Sequence, residues 1–350
     1  MSSYEAAGVS IEAGELAVEL MKSSIAKASR PEVMGGIGGF AGLFDASALK
    51  KFNRPILATS TDGVGTKTEI ARALGKYDTI GEDLVAMVVD DLVVCGAEPL
   101  FLTDYIAVGK VIPKHIAEIV SGIARGCVWS RTALIGGETA EHPQLLKEDE
   151  FDLAAAATGV VEHEKLLGEH LVKSGDVAIA IESSGVHANG FSLVRHILKN
   201  AKLDLSKNVA ELGTTLGEAL LVPTTIYAPT LLDLITDIEV HAMAHITGGG
   251  LAANTARVMP KDLQLTMDRS TWALPELFKF LAAEGKVEQP DLERTFNCGV
   301  GMVLLVPPSS ADVTIARLTS KGLRSWASGE VAHAQNAPGG VALEGKYRTL

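Results

Sequence analysis

The sequence predicts an α/β (α+β) protein of two domains, residues 1–168 and 169–350. The chain has 350 residues, more than one ordinary hydrophobic core accommodates. Short apolar runs rich in β-branched residues alternate with amphipathic segments of helical period, which is the pattern of α/β units. A polar segment, Glu162–Ser174, interrupts this alternation near the middle and is the predicted domain boundary.

Composition and charge narrow the class of protein. Apolar residues make up 47% and charged residues 21%, which is typical of a well-packed globular chain. The net charge is −12 and no run of Lys or Arg forms a basic stripe, which disfavours nucleic acid or an anionic membrane as a partner. Three widely spaced cysteines favour a reducing compartment over a disulfide framework or a structural zinc site. With neither a signal peptide nor a membrane-length apolar run, a cytoplasmic location is expected.

The first elements are a helix and a glycine-rich segment. Ser10 is placed to cap a helix that runs to about Ser29. The segment Gly35–Gly42 contains a formal G-x-G-x-x-A match, but no strand precedes it, so a dinucleotide-binding turn is rejected. A mobile flap over a ligand is predicted, and a plain flexible linker is the alternative.

The next segment, Asp62-Gly63-Val64-Gly65-Thr66-Lys67, follows a predicted strand that runs from Ile56 to Thr61. Its glycines allow a tight turn whose amide groups approach an anion. Lys67 adds a positive charge and Asp62 a carboxylate suited to Mg²⁺. The hexapeptide therefore indicates a metal–nucleotide phosphate site; a strand-ending turn with solvated charges is the alternative.

A helix predicted over Thr79–Val94 carries two further acids. Asp91 shares the apolar face of that helix with Leu84 and Val88, where a carboxylate is costly unless it meets a cation or a metal. A metal ligand is the preferred interpretation, and a structural salt bridge the alternative. Asp90 points a third of a turn away and is either a second acid of the site or solvated.

The rest of the first half continues the strand–helix alternation. A strand over Leu100–Val108 is interrupted by Asp104, and a helix follows over Pro113–Ser130. The strand Ala133–Ile135 ends in Gly136-Gly137-Glu138-Thr139, and another strand covers Phe151–Val161. Asp62, Asp91 and Glu138 thus lie near element ends of one α/β unit, which favours a Mg²⁺ site.

The second half repeats a strand–loop–helix design. The strand Val177–Ile181 leads into Ser183–Gly190 and a helix from Phe191 to about Leu198, an arrangement that binds anions through oriented amide groups. His187 in this loop is interpreted as a phosphate donor or proton-transfer group, or else as a solvated turn residue. A similar but weaker strand–loop–helix pattern follows. It consists of the strand Val240–His245, the loop Thr247-Gly248-Gly249-Gly250 and a helix through Arg257. A strand is predicted over Thr295–Val306, and the tail from Asn336 is expected to be peripheral.

No Walker A motif occurs in the sequence, so any use of ATP does not follow the P-loop pattern. The motifs in their order instead resemble the phosphoribosylformylglycinamidine cyclo-ligase (aminoimidazole ribonucleotide synthetase) family, over about nine-tenths of the chain. The matching segments are RPEVMGGIGGF (30–40), TDGVGTK (61–67), DTIGEDLVAM (78–87), DLVVCGAEPLF (91–101), GGETAE (136–141), SSGVHANGFSLVR (183–195), HITGGG (245–250) and RTFNCGVGM (294–302). DGVGTK alone is shared with a wider ATP-using superfamily, whereas the full set is specific.

The resemblance implies ATP-dependent cyclisation of formylglycinamidine ribonucleotide to 5-aminoimidazole ribonucleotide, with release of ADP and phosphate. ATP and Mg²⁺ are the implied cofactors, with Asp62, Asp91 and Glu138 as metal ligands and Asp90 as a further candidate. The implied catalytic residues are Asp62, Lys67, Asp91 and His187. The implied nucleotide-binding residues are Gly35, Gly36, Gly38, Gly39, Gly63, Gly65, Thr66 and Lys67. The implied substrate- or phosphate-binding residues are Ser184, Gly185, His187, Asn189, Thr247, Gly248 and Gly249.

The family resemblance implies two α/β domains. The N-terminal domains of a homodimer are expected to pair into a β-barrel, and the C-terminal domain is expected to be built on a mixed sheet. Asp90 departs from the family, which usually has Asn there. Selenophosphate synthetase, thiamine-phosphate kinase and formylglycinamidine ribonucleotide synthase are the superfamily alternatives, and a non-catalytic nucleotide-binding protein is the alternative of another class. The first cysteine is Cys95, whereas selenophosphate synthetase carries a reactive Cys or selenocysteine in its N-terminal glycine-rich segment.

Overall fold

The computed structural model describes residues 10–36, 39–335 and 338–349. The chain divides into two compact units. One unit comprises the chain up to Leu92 together with Glu98–Glu164, and the other comprises Val93–Ala97 and Lys165–Leu350. The division after Glu164 falls within the polar segment in which the sequence predicts a boundary. Within the described ranges, no helix combines the length and the apolar character needed to cross a bilayer.

The first unit is a four-stranded sheet with helices on one face. Its helices are α1 (Ile11–Lys27), α2 (Thr68–Leu74), α3 (Ile80–Val93) and α4 (Pro113–Trp129). Its strands are β1 (Val33–Met34), β2 (Leu43–Phe44), β3 (Pro55–Gly63), β4 (Glu98–Val108), β5 (Ala133–Glu141) and β6 (Phe151–Glu162). The sheet order is β3-β6-β4-β5, with β4 and β5 parallel and the other pairs antiparallel, and β1 pairs with β2 separately.

Three helices of this unit, α1, α3 and α4, form where the sequence predicts them, whereas α2 (Thr68–Leu74) was not predicted. The side chain of Ser10 caps α1 by accepting a hydrogen bond from the Ala13 amide. α3 crosses α4 closely, because Gly81 carries no Cβ; one built there would lie 2.3 Å from the Ile123 amide nitrogen. Residues 80–90 of α3 are all buried. The helix therefore has no solvated side. The spacing of its apolar residues could not predict which of Asp90 and Asp91 is the more exposed.

The other face of the four-stranded sheet is open in the single chain, and we name it the open face. Alternation along the strands places Leu57, Tyr105, Ala154 and Ala156 there, and Leu57 is 61% and Tyr105 42% exposed. The opposite side chains of β4, such as Leu102 and Ile106, are buried. An uncovered sheet face that exposes large side chains such as Leu57 and Tyr105 is typical of a surface that another element or chain covers.

The second unit is built on a six-stranded mixed sheet. Its helices are α5 (Phe191–Asn200), α6 (Leu216–Leu221), α7 (Ala228–Leu234), α8 (Gly250–Ala256), α9 (Glu276–Gly285), α10 (Gln289–Thr295) and α11 (Pro308–Ser320). Its strands are β7 (Val177–Glu182), β8 (Asn208–Val209), β9 (Thr214–Thr215), β10 (Ala242–His245), β11 (Leu263–Asp268), β12 (Val300–Val306), β13 (Ser325–His333) and β14 (Gly340–Glu344). The order of the large sheet is β10-β12-β7-β13-β11-β14, and β8 pairs with β9 separately.

Two predictions for this unit are wrong. The strand expected over Thr295–Val306 begins only at Val300, because Cys298 and Gly299 adopt left-handed backbone angles (φ 49° and 95°) that a strand does not accommodate. The tail is not peripheral, since β14 pairs in parallel with β11 and completes the sheet. Arg269 fixes this strand by donating to the Leu343 carbonyl at 2.6 Å. Asn336, where the predicted tail begins, lies outside the described residues.

Candidate active site

The motif from Asp62 to Lys67 lies at the end of β3 and in the turn that follows. Asp62 and Gly63 are the last residues of the strand, and Gly65–Lys67 form a single 3₁₀ turn that leads into α2. The Asp62 carboxylate accepts a hydrogen bond from the Gly63 amide at 2.7 Å. A Cβ on Gly63 would lie 2.9 Å from the Leu153 carbonyl oxygen, so the neighbouring strand requires glycine there. Gly65 has φ +63°, which makes glycine the favoured residue at the turn.

Lys67 does not reach the surface of this turn. Its side chain is fully buried, and Nζ lies 2.9 Å from Oδ1 of Asp83, which is also fully buried on α3. Burial lowers the pKa of the Lys67 ammonium, and the neighbouring carboxylate of Asp83 opposes this shift. The sequence analysis did not identify Asp83. The ion pair holds the turn against α3, and the predicted contact of Lys67 with ATP phosphates stays a prediction.

Asp91 lies on the same side of the sheet as Asp62. Ser60 and Asp62 are two residues apart on β3 and point to one face. The Ser60 hydroxyl donates to Asp91 Oδ2 at 3.3 Å, which places that carboxylate beside this face. Asp91 is half-buried, whereas Asp90 is fully buried, so the suggestion that Asp90 is solvated is wrong. Two carboxylates, Asp62 and Asp91, are thus available on one side of β3.

Glu138 is not brought to these two acids within one chain. Gly63 of β3 is level with Ala154 of β6, with Tyr105 of β4 and with Glu138 of β5, so three strand spacings, about 14 Å, separate the two edges. Glu138 shares the open face with Tyr105, opposite the face that carries Asp62. Among the residues that the structure describes, no three His, Cys, Asp or Glu side chains form a group able to hold a metal ion. The predicted three-acid ligand set is therefore not assembled in the single chain.

The Gly136-Gly137-Glu138-Thr139 segment lies inside β5 and does not follow it, contrary to the prediction. Glycine is required at position 137 because of Asp104 on the adjacent strand β4. A Cβ on Gly137 would lie 1.9 Å from Asp104 Oδ1, so only glycine leaves room for that carboxyl group. Burial raises the pKa of Asp104 to about 7. The acid that interrupts the apolar pattern of β4 is thus accommodated by a glycine on its neighbour.

The glycine-rich segment is flanked by β1 and β2, which pair with each other. Gly35 has φ +83°, and Gly36 and Gly39 have open surroundings or ordinary contacts. Gly42 lies against β5, since a Cβ there would lie 2.5 Å from the Ile135 carbonyl oxygen. Gly38 lies outside the described residues. The function of this segment as a flap remains a prediction.

In the second unit, the predicted substrate loops converge at one edge of the sheet. β7 and β10 both pair antiparallel with β12, so their carboxyl ends lie at the same edge. The loop from Ser184 to Asn189 follows β7, and the loop from Thr247 to Gly249 follows β10. A Cβ on Gly248 would lie 3.4 Å from Asn189 Oδ1, which shows that the two loops are neighbours.

His187 lies beneath its loop and is buried, so the solvated alternative is wrong. Its backbone is left-handed (φ 63°), and its Nε2 accepts a hydrogen bond from the Ser184 amide at 3.2 Å. The ring lies 6.2 Å from that of Tyr227, whose hydroxyl donates to the Glu182 carbonyl at 2.7 Å. Gly301 on β12 accommodates both rings, because a Cβ there would lie 2.0 Å from the tyrosine hydroxyl. In this conformation His187 shapes the loop, and its predicted part in proton transfer stays a prediction.

Two asparagines that the sequence analysis did not single out hold these loops. Asn297 donates to the Gly185 carbonyl at 2.8 Å and accepts from the Ser183 hydroxyl at 3.0 Å. The Asn254 amide nitrogen faces two carbonyls of the second loop, those of Thr247 and Gly248, and the Gly250 carbonyl at the start of α8. Both side chains are buried, where each amide compensates for backbone groups that water cannot reach. Both could have been identified in the sequence as asparagines that lie among apolar residues and close to a glycine-rich loop.

Two family models match the chain, one for each unit. The N-terminal domain of AIR synthase related proteins matches residues 45–161, and the C-terminal domain of the same group matches residues 173–338. The sheet arrangement is also shared with solved structures of low identity. A thiamine-monophosphate kinase from Stenotrophomonas maltophilia K279a gives a TM-score of 0.66 at 19% identity, covering 95% of this chain and 96% of that chain. The hydrogenase maturation protein HypE, solved in complex with ATP, gives 0.67 at 14% identity, covering 95% and 90%.

The two family-model matches therefore define an AIR synthase related protein. A curated phosphoribosylformylglycinamidine cyclo-ligase of Desulfitobacterium hafniense is 50% identical over 331 residues, 94% of this chain and 96% of the relative. That of Geobacillus thermodenitrificans is 48% identical over 332 residues, 95% and 96%. The chain belongs to the phosphoribosylformylglycinamidine cyclo-ligase family.

Proposed function

We propose that this protein closes the imidazole ring of 5-aminoimidazole ribonucleotide from formylglycinamidine ribonucleotide, with conversion of ATP to ADP and phosphate, in purine biosynthesis. The observation that carries the proposal is family membership at 50% identity over 94% of the chain. The amide oxygen of the substrate attacks the γ-phosphorus of ATP, ADP leaves, and an iminophosphate forms. A nitrogen of the substrate then attacks the activated carbon, and phosphate leaves. Such a reaction depends mainly on positioning and charge neutralisation.

We assign nucleotide binding to the first unit. The backbone of the turn Gly63–Thr66 would approach the phosphates, and the segment containing Gly35, Gly36 and Gly39 would cover them. The exposed position of Gly65 supports access to this turn. Lys67 is proposed to hold the turn in shape through Asp83, since its ammonium group is fully buried.

The carboxylates of this unit fit Mg²⁺ in the way that the ion binds with nucleotides. Mg²⁺ is commonly held by one or two carboxylates together with substrate phosphates and waters. Asp62 and Asp91 lie on one side of β3, where Asp91 accepts a hydrogen bond from Ser60, and they supply such a pair. When bound, the ion would neutralise charge on the phosphates. Asp90 is fully buried, and Glu138 faces the open side of the sheet, so neither is assigned as a ligand from the same chain.

We assign substrate binding to the loops of the second unit. Ser184, Gly185 and Asn189 lie on one loop and Thr247, Gly248 and Gly249 on its neighbour. The residues are small, and a backbone rich in glycine lets amide groups approach a phosphate closely. The phosphate of the ribonucleotide, or the phosphate released on ring closure, is the proposed ligand. His187 would contribute to binding by holding the first loop in its conformation.

The activity is tested by ADP release. We expect ATP hydrolysis that depends on formylglycinamidine ribonucleotide and yields the aminoimidazole product, measured with a coupled assay and by product chromatography. Thiamine phosphate and selenide are tested as alternative substrates. The chain shares its fold with a thiamine-monophosphate kinase, and selenophosphate synthetase is one of the superfamily alternatives. Equal ADP release with and without formylglycinamidine ribonucleotide, or turnover of an alternative substrate only, would contradict the proposal.

We further propose a cytoplasmic homodimer in which the first units pair through the open face into a β-barrel. The exposed Leu57 and Tyr105, with the small residues between them, support a surface that is covered in the assembly. The three cysteines are free, which agrees with a reducing compartment.

The dimer predicts the effect of one charge on the open face. Leu57→Glu is expected to convert the dimer into a folded monomer of about 36.7 kDa in sedimentation at micromolar concentration, because a buried unpaired carboxylate opposes pairing. Val313→Glu, the same type of change at an exposed position of α11, is the control. A wild-type protein that sediments as a monomer would contradict the dimer, and an unchanged dimer in Leu57→Glu would exclude the open face as its interface.

A further inference from the structure

Asn254 on α8 makes an unusual set of hydrogen bonds. Its side chain is buried, and Nδ2 lies 3.1 Å from the Thr247 carbonyl, 3.1 Å from the Gly248 carbonyl and 2.9 Å from the Gly250 carbonyl. Its Oδ1 accepts from the Thr247 hydroxyl at 3.3 Å. Three carbonyl oxygens around one atom require a donor there, so the amide nitrogen, and not the oxygen, must face them. An aspartate of the same shape would repel all three.

These bonds set the direction of the loop amides. In a trans peptide the C=O and N–H groups point in opposite directions. Because the carbonyls of Thr247 and Gly248 turn toward Asn254, the N–H groups of Gly248 and Gly249 turn away from it. Gly249 and Gly250 adopt left-handed backbone angles (φ 96° and 76°), which glycine allows at little cost. The side chain of Asn254 thus fixes a peptide orientation that the glycines alone would leave free.

We propose that Asn254 is a positioning residue that aims the amides of Gly248 and Gly249 at a phosphate monoester of the substrate. The inference rests on the proposed function for the identity of the ligand, and it adds how the loop is prepared to bind it. A loop held in its binding conformation before the ligand arrives avoids the entropic cost of ordering on binding. Asn254 itself need not touch the substrate. Its loss should therefore weaken binding of the phosphate-bearing substrate and leave ATP binding unchanged.

The test compares Asn254→Asp, which keeps the shape and removes the donor, with Asn254→Ser, which keeps one hydroxyl donor. We expect KM for formylglycinamidine ribonucleotide to rise about tenfold or more in Asn254→Asp and less in Asn254→Ser. KM for ATP should stay within about twofold in both. The stabilisation of the melting temperature by ribose 5-phosphate, a probe independent of turnover, should shrink in the same order. Asn208→Asp adds the same charge at an exposed position of β8 and is the matched control.

The outcomes separate this inference from the proposed function. If the wild type shows no turnover that requires formylglycinamidine ribonucleotide, the function fails, and ribose 5-phosphate still reports on the loop. A folded variant whose KM for formylglycinamidine ribonucleotide is unchanged, or rises in parallel with KM for ATP, overturns the inference. Failure of both variants to fold would assign Asn254 to the fold alone and likewise overturn it.

Discussion

Lys67→Met is expected to destabilise the first unit by about 3–5 kcal/mol, because it leaves the buried carboxylate of Asp83 without the ammonium 2.9 Å away. The turn after β3 should lose its shape with the ion pair, so ADP release should fall as well. The measurement is a urea unfolding curve, accompanied by the ADP-release assay. The double variant Lys67→Met/Asp83→Leu removes both charges, and it should recover a large part of the stability.

The control for this result is Lys114→Met, since the Lys114 side chain is 83% exposed and its ion pair contributes little. The two interpretations of Lys67, positioning of the turn and direct contact with phosphate, predict different results for these variants. If the lysine positions the turn, the single variant loses stability and the double variant recovers it. A Lys67→Met protein with wild-type stability and a strongly raised KM for ATP would instead show that the lysine contacts phosphate, as the motif alone suggests.

Asp91→Asn is expected to leave the fold intact and to raise the Mg²⁺ concentration needed for half-maximal activity by about 100-fold or more. Changes behind a metal's direct ligands already cost 10- to 100-fold, and loss of a ligand costs at least as much. Asparagine keeps the size of the side chain and an oxygen that can accept from Ser60, 3.3 Å away in the wild type. The melting temperature should therefore change little without ligand, while the stabilisation by Mg·ATP should largely disappear.

The decisive measurement is a set of melting curves with and without Mg·ATP, together with a Mg²⁺ titration of activity. Asp312→Asn on α11 removes an exposed carboxylate and serves as the control. If Asp91 were instead a structural ion-pair partner, its variant would melt earlier without ligand and keep the wild-type shift with Mg·ATP. That outcome would contradict the assignment of Asp91 to the metal.

Elements whose signals are local could be predicted from the amino-acid sequence. The cap at Ser10, the strand before Asp62 and the helix from Pro113 follow from side-chain chemistry and spacing within a few residues. The ordered motifs also determined the family, because each needs its residues at fixed positions along the chain. The sequence could likewise single out Asp62 and Asp91, since acids next to apolar segments need a partner.

Features that depend on neighbours distant in the chain could not be predicted, because they arise only when the chain folds. Lys67 meets Asp83 only because the turn packs on α3, and Glu138 lies away from Asp62 because β6 and β4 separate their strands. Asn254 has a role only once its loop has folded back over it. The tail becomes an edge strand because β11 offers an unpaired side to β14. For Lys67 and Asn254, burial removes water as a partner, so the nearest protein group decides the role of the residue, and sequence spacing does not encode that neighbour.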